Sequence, residues 1–253
     1  MTILQKLVIA MALVAMSHFG WANEGNGCLD FHVIENSPIG FIDTNGEPAG
    51  VHWEYLVAIE QASGVCINKK LLPYARIWEQ LKIGVHDGGI VFKSDSRSSI
   101  VEYAALIRTV KTVVVPVKGL GIKRYEDLFG LTIGKTRGTH LNDHFDNDPN
   151  FNIVELTNYE QATRMINANR IDAIAGSALV LTYQLKKHDV LTRVDMDNSI
   201  VLGEKEQWLQ LSNKSIHLDK VAQLNEAITL LKHNGTLDKI MDKYYGTQWR
   251  KMK

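Results

Sequence analysis

Short runs of apolar and β-branched residues alternate with amphipathic stretches along most of the chain. Cys28–Ile34, Cys66–Leu72 and Gly89–Phe92 read as strands. Between them lie two stretches of helical period, about 51–63 with Val51, Tyr55, Ile59 and Ala62 on one face, and about 75–84, each stopped by a glycine. This β-α-β-α-β order predicts a mainly parallel sheet with helices on its faces. A long β-branched run, Val110–Val117, then predicts either a core strand or a strand crossing between two lobes. The alternation resumes with strands at 131–134, 152–156 and 171–175. Helices are expected to open near residue 139, after the N-capping Asn158, and over 178–187. Trp208–Ser212 reads as a returning strand, and 218–233 and 236–245 as two closing helices. Leu237, Ile240 and Tyr244 are the inward positions expected of the last one.

The first residues stand apart from this pattern. Lys6 precedes an apolar run, Leu7–Met16, which is too short to span a bilayer, and Gly20-Trp21-Ala22 offers small residues for cleavage. Residues 1–22 are therefore expected to be a cleaved export signal, placing the mature chain in the periplasm. Removing them leaves 27 basic against 28 acidic residues, a balance that gives no support to nucleic-acid binding. Roughly 230 mature residues suffice for two lobes of about 100 each. An oxidising compartment favours pairing of the two cysteines, Cys28 and Cys66, which both begin a strand.

Candidate chemistry concentrates in Gly130-Leu-Thr-Ile-Gly-Lys-Thr-Arg-Gly-Thr139, read as strand, turn and helix start. A helix N-terminus beside Arg137 and Thr139 would attract a carboxylate or phosphate; a βα turn that merely packs is the alternative. His140 and His144 lie four apart but have no third ligand fixed by spacing, so no metal is expected. No phosphate-binding glycine loop, His-Glu-x-x-His motif or nucleophile elbow is present, and no cofactor is expected.

Five segments in order resemble one family. They are Phe41-Ile-Asp-Thr-Asn-Gly46 with Gly50, Leu81-Lys-Ile-Gly-Val-His-Asp87, Tyr125–Gly134 with Arg137-Gly-Thr139, Asn169-Arg-Ile-Asp-Ala173, and Asn234–Ile240 with Tyr244-Tyr-Gly246. Together they resemble the bacterial extracellular solute-binding proteins of family 3, which serve polar amino-acid ABC importers on the type II periplasmic-binding fold. The resemblance implies an α/β fold of two lobes, each a mainly parallel sheet flanked by helices, joined by two crossing strands near 108–116 and 205–210. Lobe 1 would comprise 23–112 and 207–253, and lobe 2 residues 113–206. A monomer that presents a polar solute to an ABC permease or a membrane sensor is the implied role.

Carried over residue by residue, Arg97 in Ser94-Asp-Ser-Arg97 matches the arginine that holds a solute carboxylate, and Gly138–Thr139 matches the opposing grip. Ser177 stands where the family places an aspartate for the solute ammonium, so ordinary α-amino acids are expected to bind weakly. Glu35 either supplies the missing charge or is a loop carboxylate in water. Tyr74 and Arg76 are read as a stacking face and a second cationic grip, with Arg76 as an exposed helix-start residue the alternative. Phe92 and Trp208 share the candidacy for stacking. An enzyme of cyclohexadienyl-dehydratase type is the other function carried, with Glu35 its one candidate acid or base.

Overall fold

The computed structural model describes residues 27–252. The expected export signal, residues 1–22, lies outside the described residues. Ten strands and seven helices follow one another: β1 (Leu29–Ile34), β2 (Phe41–Ile42), β3 (Pro48–Ala49), α1 (Val51–Ser63), β4 (Ile67–Leu72), α2 (Tyr74–Ile83) and β5 (Gly88–Phe92). Next come β6 (Val101–Pro116), β7 (Thr132–Thr136), α3 (Asp143–Asn147), β8 (Asn152–Leu156), α4 (Tyr159–Asn167), β9 (Ala173–Ser177) and α5 (Ala178–Lys187). The chain closes with β10 (Ile200–Ser212), α6 (Val221–His233) and α7 (Thr236–Tyr245).

Eight strands form one sheet in the order β4-β1-β5-β10-β6-β9-β7-β8. β4, β1 and β5 are mutually parallel, as are β8, β7 and β9. The two parallel sets are not separate sheets. The long strands β6 and β10 pair antiparallel along their length and bond to β9 and β5, so one ladder runs through the whole molecule. The β-branched run at 110–117 thus belongs to a crossing strand.

Burial follows the period of two. In β6, Val113 and Val115 enter one core group with Leu156, Ile166, Ile174 and Leu181, while Val114 faces another with Leu128, Ile133, Phe145 and Ala173. Val110, three residues earlier, already packs with Leu29, Phe31, Tyr55 and Ile59 of the other half. Leu224, Ile228, Leu237 and Met241 join that same group, so the tail helices return to the first half of the chain. Α1 buries Val51, His52, Tyr55, Leu56 and Ile59; Ala62, expected inward, is exposed, because the buried stripe ends one turn before the glycine stop. In α7 it is Met241 rather than Ile240 or Tyr244 that is fully buried beside Leu237.

Cys28 and Cys66 are bonded. Their strands start level: Leu29 pairs with Ile67, and Leu29 N donates to Cys66 O at 2.9 Å.

Candidate functional site

Parallel strands in an α/β sheet end at a common edge, where ligands settle. Here β1, β5, β7, β8 and β9 all end around one cavity. One wall holds Ile34, Glu35, Asn36, Ile39, Tyr74, Phe92 and Gln207. The facing wall holds Thr136, Thr139, Thr157, Tyr159, Ser177 and Val180. The cavity measures about 50 Å3, room for a few water molecules. As it stands the cavity is too small for a solute of many heavy atoms.

Three helices of nine or ten residues begin at this edge. Tyr74 is the first residue of α2, Tyr159 the first of α4, and Ser177 immediately precedes α5. Their positive ends favour negative charge in the cavity. Asn158 caps α4 as the sequence indicates, its side chain accepting from Gln161 N at 2.9 Å. The same cap aims Tyr159 inward. Gly176 makes room for it: a Cβ there would stand 2.1 Å from Tyr159 Oη. Ser177 N donates to that hydroxyl at 3.4 Å.

The polar atoms of the cavity are poorly paired within the protein. Tyr74 Oη and Thr136 Oγ1 are buried without a well-formed hydrogen bond. Burial raises the Tyr74 hydroxyl above its ordinary pKa, with the nearby Arg97 charge opposing. Burial likewise pushes Tyr159 up to about 12, with the Ser177 N–H opposing. Both phenols are neutral donors at neutral pH. Buried polar groups left unpaired are costly, and these two are available to whatever enters the cavity.

Arg97 joins the two halves of the chain beside the cavity. Its guanidinium carbon lies 3.9 Å from the Trp78 ring centroid, and its Nη2 donates to Gly138 O at 3.4 Å. Gly138 is held at φ 74°, and a Cβ on it would meet Ala75 at 3.3 Å, so the turn touches the start of α2. Among the described residues no carboxylate pairs with Arg97.

The structure brings Glu35, Tyr74, Phe92, Thr139 and Ser177 to the cavity, while Arg97 and Gly138, bonded to each other, lie beside it without lining it. Five readings change. Residues 137–139 are not a helix start: Thr139 N donates to Thr136 O at 3.1 Å, and α3 opens only at Asp143. Asn142 caps α3 through Phe145 N, and Asp146 takes the N–H groups of Leu141 and Asn142, which delays the helix. Arg137 points outward to Glu155 at 3.1 Å. Arg76 is exposed and lines no part of the cavity. Trp208 lies on the opposite face of β10, edge-on to Tyr103 at 5.6 Å and bonded to Glu206, and its neighbour Gln207 takes the inward place. Ser94 is buried but bonds Ser96 and lines an adjoining groove. His140 sits between Asp143 and Asp146.

The sequence reading missed Thr136, Thr157, Tyr159 and Gln207. Tyr159 had a signal, since it follows the recognised cap Asn158. Thr136 and Thr157 had a weaker one, as the residues that end or follow parallel strands.

The architecture recurs among solved structures. A mutant of the arginine-binding protein of T. maritima superposes with a TM-score of 0.75, at 18% identity over 88% of this chain and 96% of that one. The sequence profile of the bacterial extracellular solute-binding proteins, family 3, matches residues 32–247. The chain belongs to that family. A member similar to it throughout is a probable amino-acid-binding protein of Bacillus subtilis (strain 168), YxeM, 24% identical over 94% of this chain and 93% of the relative. An ancestral arginine-binding protein solved with arginine superposes with a TM-score of 0.73, at 25% identity over 87% and 99% of the two chains. An ancestral amino-acid-binding protein described as a precursor of cyclohexadienyl dehydratase gives 0.72, at 20% identity over 87% and 96%.

Proposed function

We propose that the protein captures a small solute bearing a carboxylate but no ammonium group, and presents it in the periplasm to an ABC importer or a membrane sensor. The observation that carries this reading is Arg97: a partly buried guanidinium beside the cavity, close to the lining residue Tyr74 and bonded to the residue before Thr139, with an aromatic ring and a carbonyl as its partners and no carboxylate. A solute carboxylate in front of it gains two parallel charge-assisted bonds. The helix starts of α2, α4 and α5 add to the same preference.

The absence of a matching ammonium site rests on the lining. The facing wall is neutral throughout, with Ser177 at the place where the family resemblance expects aspartate. Glu35 alone among the lining residues carries a carboxylate, and it is exposed. An ammonium buried against hydroxyls would lose its hydration without a countercharge. Lobe 1 is taken as residues 23–112 with 207–253 and lobe 2 as 113–206, which the change of core group between Val110 and Val113 supports.

A thermal-shift screen tests the reading. A ligand at about 100 times its Kd adds about 2.7 kcal/mol of stability. Small hydroxy- and keto-acids are expected to raise the melting temperature, and neutral α-amino acids are not. The opposite ranking would refute the assignment of the neutral wall. Glu35 also motivates a second reading, an enzyme that dehydrates a cyclic acid, with this carboxylate as acid or base. Turnover of prephenate by purified protein, lost in Glu35→Gln, would establish it; absence of turnover leaves capture as the function.

A further inference from the structure

Gln207 belongs to the crossing strand β10. In the ladder it lies opposite Arg108 of β6 on one side and Phe92 of β5 on the other. Its side chain is buried and forms part of the cavity wall. Arg108 lines a second cavity, of about 370 Å3, which shares no wall residue with the first. The two side chains bridge the cavities: Arg108 Nε donates to Gln207 Oε1 at 2.7 Å.

A guanidinium carries donors only, so the end of the amide that it meets must be the oxygen. That fixes which way round the carboxamide sits. With Oε1 engaged, Nε2 is the end left over, and among the described residues it makes no well-formed hydrogen bond. His52 stands beside Gln207, yet neither of its ring nitrogens makes a well-formed bond. Arg108 is held in its turn by Met241 Sδ and by the Tyr55 ring, whose centroid lies 5.9 Å from the guanidinium carbon. Glu204 and Asp238 line the second cavity with it, but neither forms an ion pair with Arg108. A positive charge on the oxygen side of an amide polarises it and strengthens its N–H groups as donors.

We propose that Arg108 is a positioning residue, which holds Gln207 so that its Nε2 donates to an acceptor oxygen of the bound solute. The inference rests on the solute occupying this cavity, as the proposed function has it, but not on the solute lacking an ammonium group. A keto, hydroxyl or carboxylate oxygen fits the donor. An ammonium at the same place would meet N–H groups backed by a guanidinium, a repulsive arrangement. Discrimination against an amine at this point of the solute is thus written into the crossing strands, independently of Ser177.

The test is nuclear magnetic resonance of protein carrying isotope-labelled glutamine. The probes are small 2-oxo acids, 2-hydroxy acids and the α-amino acids of the same carbon skeletons. The Gln207 side-chain amide pair is identified by its disappearance in Gln207→Glu. The probe that binds best should move this pair downfield. If that probe is an α-amino acid, the proposed function fails, while the shift still establishes the donor at Gln207. Arg108→Met should lower the affinity for that probe about fivefold to tenfold, the worth of one hydrogen bond. Arg108→Lys, which keeps a donor, should recover most of the loss. Introduced into Gln207→Leu, Arg108→Met should cause no further loss. An unchanged melting temperature shows that each variant keeps its fold; should Arg108→Met lose it, the wild-type shift and Arg108→Lys decide. A Gln207 pair that none of the probes moves, or a loss from Arg108→Met that persists in full in Gln207→Leu, would overturn the proposal.

Discussion

Under the proposed reading, Arg97 supplies the positive charge that the cavity lining itself lacks. It is already stacked on Trp78 and aimed at Gly138, so little further ordering is needed when an anion arrives. Arg97→Ala is expected to cost about 2–4 kcal/mol of binding to a true ligand, read by isothermal calorimetry, with the apo melting temperature little changed. Ser177→Asp makes the complementary test. It places a carboxylate in the neutral wall and should raise the affinity for neutral α-amino acids by about tenfold or more while weakening amine-free acids. If Ser177→Asp leaves both affinities where they were, Ser177 does not face the solute's second end. At this scale the sequence was legible where a residue ends or follows a strand, as with Glu35, Phe92 and Ser177, which reach the cavity wall. It was misleading where one position decides the face. Trp208 and Gln207 are adjacent, and alternation along β10 sends only one of them inward. No local pattern distinguishes the two, because both faces of that strand are partly buried.

The elements themselves were written more openly. Pro73 opens α2, Asn158 opens α4, and the glycines at 64 and 84 close α1 and α2 in the left-handed conformation. The exception is α3. Its late start depends on Asn142 and Asp146 outbidding Gly138–Thr139 for the free backbone N–H groups, a competition visible only once the turn at 136–139 has formed. Gly176 carries another element-scale prediction. Gly176→Ala would drive a methyl into Tyr159 Oη, so α4 must shift or the phenol must leave the cavity. A loss of about 1–3 kcal/mol is expected in urea unfolding, with a matching loss of solute affinity. Alanine tolerated without loss of affinity would show that Tyr159 does not shape the site. The Cys28–Cys66 bond joins β1 to β4 across a separation of 38 residues. Its reduction should remove up to about 4 kcal/mol by loss of loop constraint. The same urea experiment, run with and without reductant, measures it.

Three histidines give the molecule as a whole its acid response. His32 is buried against the His86 ring at 3.9 Å, and burial, with the His86 and Lys70 charges, lowers its pKa to about 4. Burial also lowers His86, and holds His52, beside Arg108, well below the usual range. All three are neutral in the folded chain near neutral pH. As pH falls below about 6.5 the unfolded chain takes up protons that the folded chain resists, so stability declines towards pH 4. The stacked pair His32–His86 contributes to that decline as a unit. Urea midpoints between pH 7 and 4 should fall, and His32→Gln should flatten the fall; a midpoint indifferent to pH would contradict the assignment.

The shared sheet has one more consequence. Had the lobes been joined by loose connections, opening would resemble a door on pins, with its compliance outside the regular structure. Instead β6 and β10 pair along their length from one lobe to the other, so parting the cavity walls would flex the sheet like a leaf spring. Such a spring yields where its lamination is interrupted. The ladder is interrupted at Val201/Gly203, Gln207/Trp208 and Leu209/Gln210, and the second of these interruptions includes a residue of the cavity wall. Solute affinity is then set partly by the stiffness of backbone that the solute never touches.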